Sequence, residues 1–201
     1  MANRNTQGFG LIAQGTVGST PATGGQGKYL IDAGMAVDLF QGSAVRSAAG
    51  YIVTAQAAIT NTCIGVLNGI FYNDATTKKP TFANFHNQPI TPANSEDITA
   101  FVIDNPSQLF VGAIDAAAAQ AEYGKTYGLT VTAAGSELSG QSSSTLTYAT
   151  RHATNNQWRL VRSAEDPENN ENAAFRSVVV AHNLNQYFLS LIHISEPTRP
   201  Y

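Results

Sequence analysis

The sequence predicts an all-β protein, an extended N-terminal arm followed by one or two small β-barrel or sandwich domains with little helix. Three observations lead there. Only 12% of the residues are charged and 43% are apolar, so solubility rests on small uncharged side chains, which suit pleated strands and tight turns better than exposed helix faces. Short apolar runs recur at short spacing, cut by Gly, Asn and Ser, as in small barrels and sandwiches. The one helix-favouring run, Asp115-Ala116-Ala117-Ala118-Ala119-Gln120-Ala121-Glu122, is too short to persist without packing and predicts no more than a helical turn or two on a loop. The 201 residues suffice for one large β domain or two small ones.

Residues 1–27 hold seven of the chain's 17 glycines and only Phe9, Leu11, Ile12 and Val17 as apolar anchors. Such a segment builds no core alone. It reads as an arm that could add a strand to the sheet edge of a neighbouring subunit, or as a plain disordered terminus. Residues 28–72 form a first barrel-like block: Tyr29-Leu30-Ile31, Ala36 to Phe40, Ala44-Val45-Arg46, Tyr51 to Thr54 and Ile64 to Leu67 are its strands, with Gly34, Gly42 and Gly50 between them. Asn68-Gly69 and Asn73-Asp74 read as tight turns. Residues 73–97 read as a connector, because Pro80, Pro89 and Pro92 argue against a central strand.

A second β-rich block spans 98–188. Its strands are Ile98–Ile103, Leu109–Ile114, Lys125–Thr132, Ser144–Thr147, Gln157–Arg162 and Phe175–Ala181. Within the last, Val178-Val179-Val180 has the continuous apolar character of a strand buried on both faces. Residues 189–201 stand apart. Leu189-Ser190-Leu191-Ile192-His193-Ile194-Ser195-Glu196-Pro197-Thr198-Arg199 resembles a transposon-end sequencing adapter translated in frame, and the segment is set aside as such. A genuine closing strand is the other reading.

The net charge of −3 and the scatter of the 11 Lys and Arg residues argue against direct binding to nucleic acid, which needs clustered basic side chains. No stretch is long enough to cross a bilayer, and the N-terminus lacks the apolar core of a signal peptide. Cys63, the single cysteine, lies in an apolar run and reads as a small core residue. His86, His152, His182 and His193 share no metal-site spacing.

Glu96, Asp97 and Asp104 could serve as acid and base only if the fold brought them together, and a surface turn explains them as well. Gly27-Lys28 lacks the leading Gly and the Ser/Thr of a phosphate loop. The stretch Ser163 to Asn172 is rich in oxygen donors but lacks the alternate-acid spacing of a calcium loop, and reads as a solvated acidic loop. Trp158 reads as core. The expectation is therefore no catalytic residue, no metal and no cofactor.

Gly34-Met35-Ala36-Val37-Asp38-Leu39 together with Ile64-Gly65-Val66-Leu67 resembles a pattern in small β-barrel head-decoration proteins of tailed phages. The runs Ala93 to Pro106 and Trp158 to Asn170 are similar to virion proteins of marine phages. The resemblance extends from about Gly8 to Asn185 and carries no functional residue. It implies a capsid decoration or stabilising protein in the virion, assembled in the host cytoplasm. Its partners would be the major capsid protein or other virion subunits, and it would form a homo-oligomer. The alternative is a glycan-binding module of a tail fibre or spike, with Tyr123, Tyr127, Tyr148 or Trp158 as stacking platforms.

Overall fold

The computed structural model describes residues 5–18, 25–55, 62–88, 90–130 and 135–187. Among them the chain is all-β, with two single turns of 3-10 helix at Ala93–Ser95 and Gln120–Glu122 as its only helical elements. The adapter-like run 189–201 lies outside the described residues.

The strands form two larger sheets. The first contains β2 (Gly27–Ile31), β3 (Ala44–Ala48), β4 (Tyr51–Thr54), β5 (Gly65–Asn73), β6 (Pro80–Ala83) and β7 (Ile98–Ile103), ordered β2-β7-β5-β3-β4 with β6 paired to β5. The second contains β1 (Ile12–Thr16), β8 (Gln108–Ile114), β9 (Thr126–Leu129), β12 (Leu146–His152), β13 (Trp158–Ser163) and β14 (Arg176–His182). Here β8, β12, β9, β13 and β14 pair in a ring, β14 returning to β8, so this half is a closed five-stranded barrel. Closure removes the open edges of those strands. The short hairpin β10 (Gly135–Ser136) and β11 (Gln141–Ser142) stands apart from both sheets.

Alternation decides which side chains go inward. In β7, Ile98, Ala100 and Val102 are buried in the first-sheet core, while Thr99 and Phe101 are half-buried on the other face and Ile103 packs partly against the barrel core, the period-two alternation of a strand. In β14, Val178, Val179 and Val180 are all sealed from solvent, matching their unbroken apolar run.

Several boundaries differ from the sequence reading. Strand β7 was grouped with the second block, yet it is the central partner of β2 and β5 in the first sheet; without its three inward side chains that sheet's core would lie open. The connector 73–97 supplies β6, whose Pro80 sits at the first position of an edge strand, where no ladder hydrogen bond is lost. Asn68-Gly69 is not a turn: β5 runs through it with a shift in register between Leu67 and Gly69, a bulge at a glycine. Ala36–Phe40 forms no strand and contributes only the bridge of Leu39 to His86.

The arm also differs. Residues 12–16 add a strand, but alongside β8 of the same chain, with Ile12 opposite Val111 and Thr16 opposite Gln108. Leu11 is buried in the core of the barrel half. Its N–H donates to Gly42 O at 2.9 Å, and Gly10 N–H donates to Ser144 O at 3.1 Å, so the arm is fastened to both halves. Gly10 has φ +74°, and a Cβ there would stand 2.9 Å from Gly42 O; only glycine fits that passage.

Two apolar cores result. The first-sheet core gathers Ile31, Leu39, Val45, Ile52, Leu67, Ile70, Ile98 and Val102. The barrel core is built on Phe110, Ile114, Tyr127, Leu146, Trp158, Leu160, Val178 and Val180, but it also takes in Ala44, Ala55, Cys63 and Val66 from the first half. Neighbouring residues on β3 and β5 therefore face different cores, and the strands act as a shared wall.

Candidate functional site

Cys63 and His182 come within reach of each other, Sγ to Nδ1 at 3.5 Å, across the junction of the halves. Such a pair is a nucleophile and base only if the thiolate can form and a substrate can enter. Neither condition holds. Cys63 is fully buried, and burial pushes its thiol up to about 12. His182 is pushed down to about 4 by the same loss of solvent. Its ring lies tilted 4.5 Å from that of Trp158 and edge-on 5.5 Å from that of Phe110. Both groups stay neutral at ordinary pH, and the pair acts as core. His86 is likewise buried, its Nδ1 3.1 Å from Val37 O, and burial lowers its pKa.

A polar cluster closes one end of the barrel. Tyr127 OH donates to Glu122 Oε2 at 2.7 Å and Lys125 Nζ donates to Glu122 Oε1 at 3.0 Å. Burial alone would raise the Glu122 carboxyl, but these two hydrogen bonds and the charges of Lys125 and Arg151 outweigh it and hold the group below its ordinary value. Arg176, sealed from solvent, donates to Glu171 Oε1 at 2.8 Å, to Tyr123 OH at 2.9 Å and to Ala118 O. The alanine-rich run thus ends in a buried Ala118 whose carbonyl accepts from Arg176, and it makes only the turn Gln120–Glu122. Charge here is spent on holding loops to the barrel.

The acidic loop between β13 and β14 is organised by Asn169. Its Nδ2 donates to Ser177 O at 2.7 Å and to Ala164 O at 3.2 Å, and its Oδ1 accepts from Ser177 N–H at 3.0 Å. Glu165 pairs with Arg162 and Glu171 with Arg176. Among the described residues no group of three or more His, Cys, Asp or Glu side chains is placed to hold a metal. Glu96, Asp97 and Asp104 take separate partners: Asn73, Tyr51 and Tyr29 respectively.

Of the four aromatics considered as stacking platforms, Trp158 and Tyr127 are fully buried. Tyr123 and Tyr148 pack partly against the barrel core, and Tyr148 is covered by Arg151, whose guanidinium carbon lies 4.3 Å from the ring centre. Trp158 and Tyr127 are therefore closed to stacking, while Tyr123 and Tyr148 are half-buried.

What points outward is apolar and held in place. The β10–β11 hairpin is bound at its base, where Gln41 N–H donates to Gly140 O and Ser142 N–H donates to Gln41 O, each at 2.9 Å. Asn84 Nδ2 donates to Ser139 O at 2.8 Å in the hairpin's turn. From that turn Leu138 projects with 99% of its surface exposed. Sequence reasoning missed this residue, because a lone leucine between Glu137 and Ser139 gives no signal until the turn is built. Ile12 and Val17, in and just after β1, are also exposed.

Set against known protein families, curated proteins and solved structures, the chain matches none of them.

Proposed function

We propose that the chain is a structural component of a tailed-phage particle, a capsid decoration or stabilising subunit that acts through protein–protein contacts. The observation that carries the contact role is Leu138, fully solvent-exposed on a hairpin tied down by backbone bonds and by Asn84. An apolar tip already held in place loses little conformational entropy on docking, and burying its side chain in a partner's pocket removes apolar surface from water. Ile12 and Val17 beside the edge strand β1 add a second apolar strip where another chain could continue the sheet. The resemblance of the 34–39, 64–67, 93–106 and 158–170 runs to phage virion proteins supplies the setting, with the major capsid protein or other virion subunits as partners. Repetition over a symmetric lattice, with copies of the chain associating as a homo-oligomer, would sum weak contacts into firm attachment.

Purified phage heads lacking the protein, mixed with the chain ending at Tyr187 and then sedimented, test this reading. Saturable co-sedimentation is expected, and Leu138→Asp should weaken it by about tenfold or more with an unchanged denaturation midpoint. Folded protein that stays in the supernatant would sink the particle role. Full binding by Leu138→Asp would remove the hairpin from it.

A further inference from the structure

The outer face of the first sheet carries an aromatic groove that neither core uses. Strands β2, β7, β5 and β6 lie side by side there, and their outward residues include Phe101 on β7, Phe71 on β5 and Phe82 on β6. Phe82 is 73% exposed. Its ring centre stands 4.7 Å from that of Phe71 and 6.2 Å from that of Phe101, the latter pair inclined by only 21°. Directly opposite Phe101 in the ladder is Gly69. A Cβ at Gly69 would stand 3.1 Å from Ala83 O, so the glycine lets β6 lie close against β5, and a groove of about 480 Å³ opens beside them, lined by Gly69, Ile70, Phe82, Ala83 and Phe101. That size falls within the roughly 300–1,000 Å³ of small-molecule sites.

The rim is made of carboxamides. Gln26, Asn68 and Asn84 line the groove, and among the described residues no acid or base does. Asn68 uses its Oδ1 to accept from Gln41 Nε2 at 3.0 Å, and Asn84 uses its Nδ2 to donate to Ser139 O at 2.8 Å. These bonds fix both side chains and leave a donor on Asn68 and an acceptor on Asn84. The lining therefore combines a flat apolar wall with neutral hydrogen-bonding groups of both polarities.

We propose that this groove binds a neutral oligosaccharide. A pyranose ring has an apolar C–H face, whose partial positive charge suits the negative face of an aromatic ring, and a girdle of hydroxyls that carboxamides can both donate to and accept from. A phosphate-bearing or nucleic-acid ligand would require basic side chains in the lining. A ligand with no polar groups of its own would bury the free donor of Asn68 and the free acceptor of Asn84 unpaired, at a cost of about 1–3 kcal/mol each. The site shares Asn84 with the hairpin but does not include Leu138, and it adds a ligand-binding activity to a contact protein.

The test is an array of neutral and anionic bacterial and eukaryotic oligosaccharides probed with the labelled chain, followed by saturation-transfer NMR and calorimetry on the strongest neutral hit. Binding is expected for neutral glycans, with Phe82→Ala weakening it about tenfold and Gln26→Ala severalfold. Both side chains are exposed, so both variants should keep the parent's circular dichroism. A silent array with folded protein, binding confined to anionic glycans, or binding indifferent to Phe82→Ala would each overturn the proposal. So would a dimer in light scattering that Phe82→Ala converts to monomer, which would make the groove a protein interface. Head binding is read separately: glycan binding without head binding removes the particle role and keeps this site, and the reverse removes only this site.

Discussion

The His182 ring lies tilted 4.5 Å from that of Trp158, and its buried Nε2 has no hydrogen-bond partner among the described residues. Protonating it would place a charge where nothing compensates it, which is why burial depresses its pKa to about 4 from an ordinary 6.5. The sign of the effect on stability follows. Between pH 6.5 and 4 the unfolded chain takes up a proton that the folded chain refuses, so stability is full above about 6.5 and falls as the pH drops towards 4. That depression from 6.5 to about 4 corresponds to roughly 3–4 kcal/mol at most. Urea midpoints measured across pH 4–7 should decline on the acid side, and His182→Phe should flatten most of that decline. An unchanged slope in the variant would assign the acid sensitivity to other groups, His86 first among them because burial depresses it too.

Strands and turns succeeded or failed as sequence signals for identifiable reasons. Val178-Val179-Val180 was legible because burial on two faces writes itself into an unbroken apolar run; Ile98–Ile103 was legible as a strand from its β-branched and aromatic residues, but which of its apolar side chains face the first core was not. The Asn68-Gly69 pair carried the chemistry of a turn, but a glycine also accommodates a bulge, and only the pairing of β5 with both β7 and β6 decides between the two. The arm was legible as an added strand but not as belonging to its own chain, since a composition rich in glycine hides Leu11, its one deeply buried anchor. The aromatic groove was not legible at all. Phe71, Phe82 and Phe101 lie far apart in sequence and meet only across strands, with Gly69 mattering for what it lacks. Leu11 gives the element its test. If the arm is part of the fold, Leu11→Ala should cost about 2–5 kcal/mol, as for a core leucine, read from the denaturant midpoint at unchanged m. A loss within about 0.5 kcal/mol would mark the arm as a surface appendage.

At the scale of the whole molecule the question is whether two sheets with two cores make one folding unit or two. Residues from the first half, Ala44, Ala55, Cys63 and Val66, lie inside the barrel-half core, while their neighbours Val45 and Leu67 turn to the other. The arm bonds to Gly42 and to Ser144, the hairpin to Gln41, and Cys63 exchanges backbone hydrogen bonds with Leu184 and Gln186. Melting either half would therefore strip apolar cover from the other, and each would drag down its neighbour. One cooperative transition is expected. Trp158, the chain's single tryptophan, lies fully within the barrel half, so its fluorescence reports that half alone, whereas far-ultraviolet circular dichroism reports both sheets. Heating or urea should move the two signals together with one midpoint. If circular dichroism lost a large fraction of its amplitude while Trp158 emission held steady, the first sheet would be a separate unit. The shared wall of β3 and β5 would then contribute shape rather than stability.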